Sequence, residues 1–329
     1  MDLQWCIKNN LDKLDWKLLS ANSGAVPLLE AHPEKINWKE LFKNTGAIHL
    51  LEAKSHKEMN EINWIYLAGN PNAIPIIKKE IEKYHPYVDR WSLRLCENPN
   101  AIDILEDNII SINWQSLSIN PKAIHLLKNK MNGDYKNIKD NRIWIDRLFD
   151  WLFCSRYKEI DWINLCLNTG AISILEANID KLNWEHWAWI CYNPGAIPLL
   201  EANPDKIYWG ILSGNPGAIH LLEANSDKID WLRLSTNPAA ISLLEANPDK
   251  INWDLLSTNF AAIHLLKANL DKINWEGLSF NTNILETKDF TQGISNFTLD
   301  DYSFDIYHFF SLSNFYNKIN TKYKNSNKL

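Results

Sequence analysis

A 22-residue unit recurs along this chain, most clearly as NPGAIPLLEANPDKIYWGILSG (Asn193–Gly214), NPGAIHLLEANSDKIDWLRLST (Asn215–Thr236) and NPAAISLLEANPDKINWDLLST (Asn237–Thr258). A unit this short cannot bury its apolar side alone. It must stack on its neighbours, which makes a solenoid. The alanine of the Ala-Ile pair marks the register at Ala25, Ala47, Ala73, Ala101, Ala123, Ala171, Ala196, Ala218, Ala240 and Ala262. Tryptophans give it independently at Trp16, Trp38, Trp64, Trp91, Trp114, Trp162, Trp184, Trp209, Trp231, Trp253 and Trp275, with Trp144 as a candidate twelfth. The gap of 48 between Ala123 and Ala171 is close to two units, and a degenerate copy around Leu152-Phe153 fits there.

Each unit reads as two short helices. Ala-Ile-x-Leu-Leu puts apolar residues at i, i+1, i+3 and i+4, one helical face. Asn-Pro upstream suits a cap followed by a first-turn proline. Pro27, Pro75 and Pro198 would break a helix that began at that Asn. Asn-Pro-x is therefore read as a turn, with the helix starting near Ala-Ile. Glu-Ala-Asn ends it, with Asn expected in the left-handed cap. Asn or Asp before Trp caps a second helix, Trp-x-x-Leu-Ser. Helices this short need stacking to exist, and the Trp and Leu-Leu positions are expected to be its core. On that reading Trp231→Ala costs about 3–5 kcal/mol. A β-solenoid would want period-2 alternation, which the unit lacks.

Composition narrows the function classes. The chain has 329 residues, 46% hydrophobic and 22% charged, as a folded protein does. A formal charge of −6 argues against a broad nucleic-acid footprint. No apolar run approaches a membrane span, and the N-terminus lacks the pattern of a secretory signal. Of the 5 cysteines, Cys96, Cys166 and Cys191 stand where Ser20, Ser118, Ser213, Ser235, Ser257 and Ser279 stand in other units. This is a column of small packing residues rather than a disulfide frame, and it fits a reducing compartment.

The repeat also absorbs the residues that might look catalytic. His49, His125, His220 and His264 share the x of Ala-Ile-x-Leu-Leu. Equivalent positions on packed helices lie about 8–10 Å apart, too far to share one metal ion. The four histidines read as a surface column, and as the candidate column for contacting a partner. Glu30, Glu52, Glu106, Glu176, Glu201, Glu223 and Glu245 form a carboxylate column. Lys35, Lys181, Lys206, Lys228, Lys250 and Lys272 form a basic one, read as its match on a solvated face. No phosphate loop, metalloprotease or nucleophile-elbow motif occurs. No catalytic, cofactor-binding or metal-binding residue is assigned, and the chain reads as a non-enzyme.

The quoted units resemble a tandem repeat family of giant DNA viruses of amoebae, the mimivirus group, built on Asn-Pro-x-Ala-Ile-x-Leu-Leu-Glu-x-Asn-Pro-Asp-Lys-Ile-x-Trp. The resemblance covers about 270 of the 329 residues. It implies a viral repeat protein of the host cytoplasm or the virion, and it carries over no catalytic residue.

These observations predict an all-α fold: an α-solenoid of about 11 two-helix repeats over 1–286, elongated, with an irregular insertion at 128–158. An aromatic-rich cap or tail follows at 287–329, in which Phe304–Phe315 is expected to fold back on the bare face of the last repeat. The leading functional expectation is a non-catalytic scaffold that binds a protein partner, without nucleic acid or membrane. A structural or packaged virion component is the alternative. An accessory enzyme with chemistry in the insertion or tail is the third.

Overall fold

The computed structural model describes residues 7–52, 61–84, 91–107, 112–134, 159–285 and 314–322. The chain divides into two units, Met1–Leu41 with Ile207–Leu329, and Phe42–Lys206. The fold is all-α. Short helices and 3-10 turns succeed one another at the repeat's spacing, with no strand among the described residues.

The unit beginning at Asn237 shows the local logic. Pro238–Ala240 is a 3-10 turn, Ile241–Glu245 a helix, Pro248–Lys250 a second 3-10 turn and Trp253–Leu256 a second helix. Asn237 Oδ1 accepts the Ala239 N–H at 2.9 Å and closes the first turn. The helix thus starts at the isoleucine, so Pro198 falls in the first turn of Ile197–Glu201, where its missing N–H costs nothing. Asn252 Oδ1 accepts the Leu255 N–H at 2.9 Å and caps the second helix.

The expected left-handed end of the first helix is corrected. Asn225 has φ −135° and ψ 52°. Its Nδ2 donates back to Leu221 O at 2.9 Å, and Asn203, Asn247 and Asn269 do the same in their repeats. The side-chain amide satisfies a terminal carbonyl, and the negative φ leads straight into the next 3-10 turn.

The core is aliphatic, and the expectation of a tryptophan core is corrected. Ala240, Leu244 and Leu256 are fully buried, as are their equivalents Ala218, Leu222 and Leu234. Trp209, Trp231, Trp253 and Trp275 are only half-buried. Each takes a lysine of the following repeat on its ring: Lys228 over Trp209 at 4.4 Å, Lys250 over Trp231 at 4.5 Å, Lys272 over Trp253 at 4.3 Å. The lysine column therefore pairs with the tryptophans rather than the glutamates. The indole lies flat under an aliphatic stem and an ammonium group, a cation–π arrangement. Trp64, Trp91 and Trp114 are buried, and the first two stack at 5.6 Å.

Polar columns tie one repeat to the next. Asn237 Nδ2 donates to Ser213 O and to Asn215 O, both at 3.0 Å. Asn98, Asn120, Asn193, Asn259 and Asn281 each reach two carbonyls of the preceding repeat in the same way. These asparagines are buried and use both donors and the acceptor, as a buried amide requires. The serine column is a second tie. Ser235 Oγ donates to Trp231 O at 2.8 Å and accepts the Asn252 N–H at 3.0 Å. Cys96 Sγ accepts the Asn113 N–H at 3.3 Å in the same role.

These ties correct two further expectations. Asn168 Nδ2 donates to Ser118 O at 2.9 Å and to Asn120 O at 3.0 Å, the bonds that join consecutive repeats. Among the described residues the repeat that opens at Asn168 therefore stacks directly on the one that opens at Asn120. One repeat instead carries its insertion between the helices Ile124–Met131 and Trp162–Leu167. Residues 135–158, with Trp144, Trp151 and Leu152-Phe153, lie outside the described residues. The last repeat is also not bare. Asp15 N–H donates to Ser279 Oγ at 3.0 Å, Asn22 Nδ2 donates to Asn281 O at 2.9 Å, and Lys13 lies over Trp275 at 5.5 Å. One repeat is thus assembled from its first half at 281–285 and its second half at 13–21.

Candidate interaction surface

The four histidines fall on the outer side of the first helices. His49, His125 and His220 are exposed and His264 is half-buried. His125 Nε2 lies 2.6 Å from Glu106 Oε1, and His264 Nε2 lies 2.8 Å from Glu245 Oε1. Each pair joins the x of one Ala-Ile-x-Leu-Leu to the glutamate of the preceding repeat. The pair Lys78 and Asp103, 3.2 Å apart, is the same contact with its charges exchanged. Sequence reading placed both columns on the surface but did not join them. The signal was their constant separation of 19 residues, visible in His125–Glu106 and His264–Glu245.

One rung of the tryptophan column is open. Trp184 is 71% exposed. Lys206, the equivalent of the lysines that cover other rings, instead pairs with Asp205 at 2.7 Å, and this holds the Asp205 carboxyl below its usual range.

Two of the cysteines sit as inert packing residues. Cys96 and Cys166 are buried and free. Burial pushes both thiols up to about 12, with the Glu97 and Asp161 carboxylates adding to it. Such thiols stay protonated and unreactive. Beside them, Arg94 and Glu97 form an ion pair at 2.7 Å, and burial raises the Glu97 carboxyl despite that cation. Among the described residues no group of three or more His, Cys, Asp or Glu could hold a metal ion. None of the described helices is long and apolar enough to cross a membrane.

The C-terminal segment supplies a surface feature of another kind. Residues 314–322 form a helix lying across second helices of the repeats. Phe315 and Ile319 are buried against Leu255 and Phe280, with Leu18, Leu232 and Tyr316 packed around them. Lys318 pairs with Glu276 at 2.5 Å and Lys322 with Asp254 at 3.5 Å. Arg233 lies over the Tyr316 ring at 4.4 Å. The part of the expected fold-back at residues 304–313 lies outside the described residues.

No family model, curated protein or solved structure gives a significant match to the chain.

Proposed function

We propose that this protein is a non-catalytic protein–protein interaction scaffold of a large DNA virus, working in the host cytoplasm or the virion. The viral part rests on the repeat's resemblance. The scaffold part rests on one observation: the buried positions repeat while the outward x of Ala-Ile-x-Leu-Leu varies. Asn, Ala, Leu and Ser recur at the buried positions. The x of Ala-Ile-x-Leu-Leu is Pro27, His49, Pro75, Asp103, His125, Ser173, Pro198, His220 or Ser242, all exposed, or the half-buried His264. Repeat proteins bind in this way, with a constant frame holding a variable surface. His49 and His125 in one unit, and His220 and His264 in the other, are the proposed contact residues.

The test is capture of partners from infected host cells with the native chain and with a variant carrying all four histidines as alanine. A partner held by the native chain and lost by the equally folded variant supports the reading. Incorporation of the chain into purified particles with no such partner would favour a structural component.

A further inference from the structure

The helix 314–322 sits on its own repeats as a ligand sits on a receptor. We propose that this face binds a short basic amphipathic helix of a partner protein, and that residues 314–322 are its built-in, displaceable occupant. The inference rests on the scaffold reading and specifies the partner's chemistry.

The face is assembled from equivalent positions of successive second helices, the two residues that follow each tryptophan. Leu232 and Arg233 follow Trp231, Asp254 and Leu255 follow Trp253, Glu276 and Gly277 follow Trp275, and Leu18 lies two after Trp16. Leu18, Leu232, Leu255 and Phe280 make an apolar floor. A Cβ on Gly277 would lie 2.8 Å from Asp254 O and 3.1 Å from Ser257 Cβ, so the glycine lets neighbouring second helices approach closely beneath the Phe315 ring. Asp254 and Glu276 set carboxylates at the rim. The seated helix shows what this combination accepts: Phe315 and Ile319 one turn apart on the buried side, Lys318 and Lys322 one turn apart toward the acids.

Among the described residues the hold is small. The described helical stretch, 314–322, is too short to be stable alone. Only Phe315 and Ile319 are buried within it. Both lysines are solvent-exposed, and ion pairs open to water contribute little. The tail gains its place chiefly from being tethered to the same chain, which raises its local concentration. A partner helix with the same aromatic–aliphatic and lysine spacing, and further contacts beyond it, competes on equal chemical terms.

The experiment uses a fluorescent synthetic peptide with the sequence of residues 311–324 as probe, added to the full chain in an anisotropy titration. The native chain should bind it weakly. The variant Phe315→Ala with Ile319→Ala, whose own tail no longer fills the face, should bind it at least tenfold more tightly. Lys318→Glu with Lys322→Glu loosens the tail without touching the core, so it should strengthen probe binding even if the first variant folds poorly. Adding Asp254→Lys and Glu276→Lys to either variant should reverse the gain. Equal affinity for native and tail variants, or no binding to any, overturns the inference. So does probe-blocked self-association of the chain, which would make the partner a second copy. A partner that binds native and tail-variant chains equally, and ignores the probe, overturns this inference but leaves the scaffold reading standing.

Discussion

The side-chain amide of Asn22 donates to the main-chain carbonyl of Asn281 at 2.9 Å, across 259 positions of sequence. The bond is the one Asn259 makes to Asn237 and Asn281 to Asn259, each across 22 positions. The repeat that opens at Asn22 is therefore tied to the one that opens at Asn281 by the same bond that ties successive repeats. Asn22→Ala should destabilise the protein as much as Asn237→Ala does, because each leaves buried carbonyls without donors at about 1–3 kcal/mol apiece. Parallel denaturant melts check this. An Asn22→Ala cost near zero, as for a frayed end, would show that the first repeat is not seated on the last.

Gly24 sharpens the same point. A Cβ there would stand 1.8 Å from Thr282 O, a main-chain atom that cannot swing aside. Equivalent positions elsewhere carry Ala239 and Ala261. Gly24→Ala should therefore lower the melting temperature by several degrees, roughly the effect of a 1–3 kcal/mol overpacking penalty. Gly217→Ala, at the same place in an interior repeat, should be nearly silent. Equal melting temperatures for the two variants would remove the close approach.

The fold class was legible because the aliphatic columns obey helical spacing and recur at a fixed interval. The tryptophans misled because size was equated with burial. Trp231 is large enough to cover the core while keeping one face for Lys250, and only the 19-residue offset between the two columns hints at that. Leu234 is the buried member of that helix. Leu234→Ala should cost about 2–5 kcal/mol. Trp231→Ala should cost about 1–2 kcal/mol, for partial burial plus one cation–π contact. A larger loss at Trp231 than at Leu234 in urea melts would restore the tryptophan core.

The spacing of the Ser and Cys column shows its small size but not its bonding. Nothing in a single serine's spacing says that its hydroxyl accepts an N–H from the next repeat, as Ser235 does from Asn252. The contact of Asn22 with Asn281 is equally hidden. Asp12-Lys13-Leu14-Asp15-Trp16 is a second half-repeat without a first, and Asn281–Leu285 a first without a second, but sequence alone does not say that they meet. For the serine column, Ser235→Cys should be tolerated to within about 1 kcal/mol because Cys96 already fills the role, whereas Ser235→Val orphans a buried N–H and should cost about 1–3 kcal/mol. Comparable melts for both variants would leave only packing for this column.

The buried thiols give a pH dependence with a definite sign. Cys96 and Cys166 titrate near 12 in the folded chain against an ordinary value of 9.0. The folded state therefore holds these protons more tightly than the unfolded state. Their contribution is fully present below pH 9.0 and is lost progressively as the pH rises toward 12. Stability measured by urea melts should fall between those values, and Cys96→Ser with Cys166→Ser should flatten the fall because serine does not ionise there. At pH 8 the native chain should leave both thiols unmodified by iodoacetamide, and unfolding in urea should expose both to alkylation. Rapid alkylation of either in the folded protein at pH 8, located by peptide mass, would show that the thiol is ionised or open to solvent and would remove the basis for the alkaline loss.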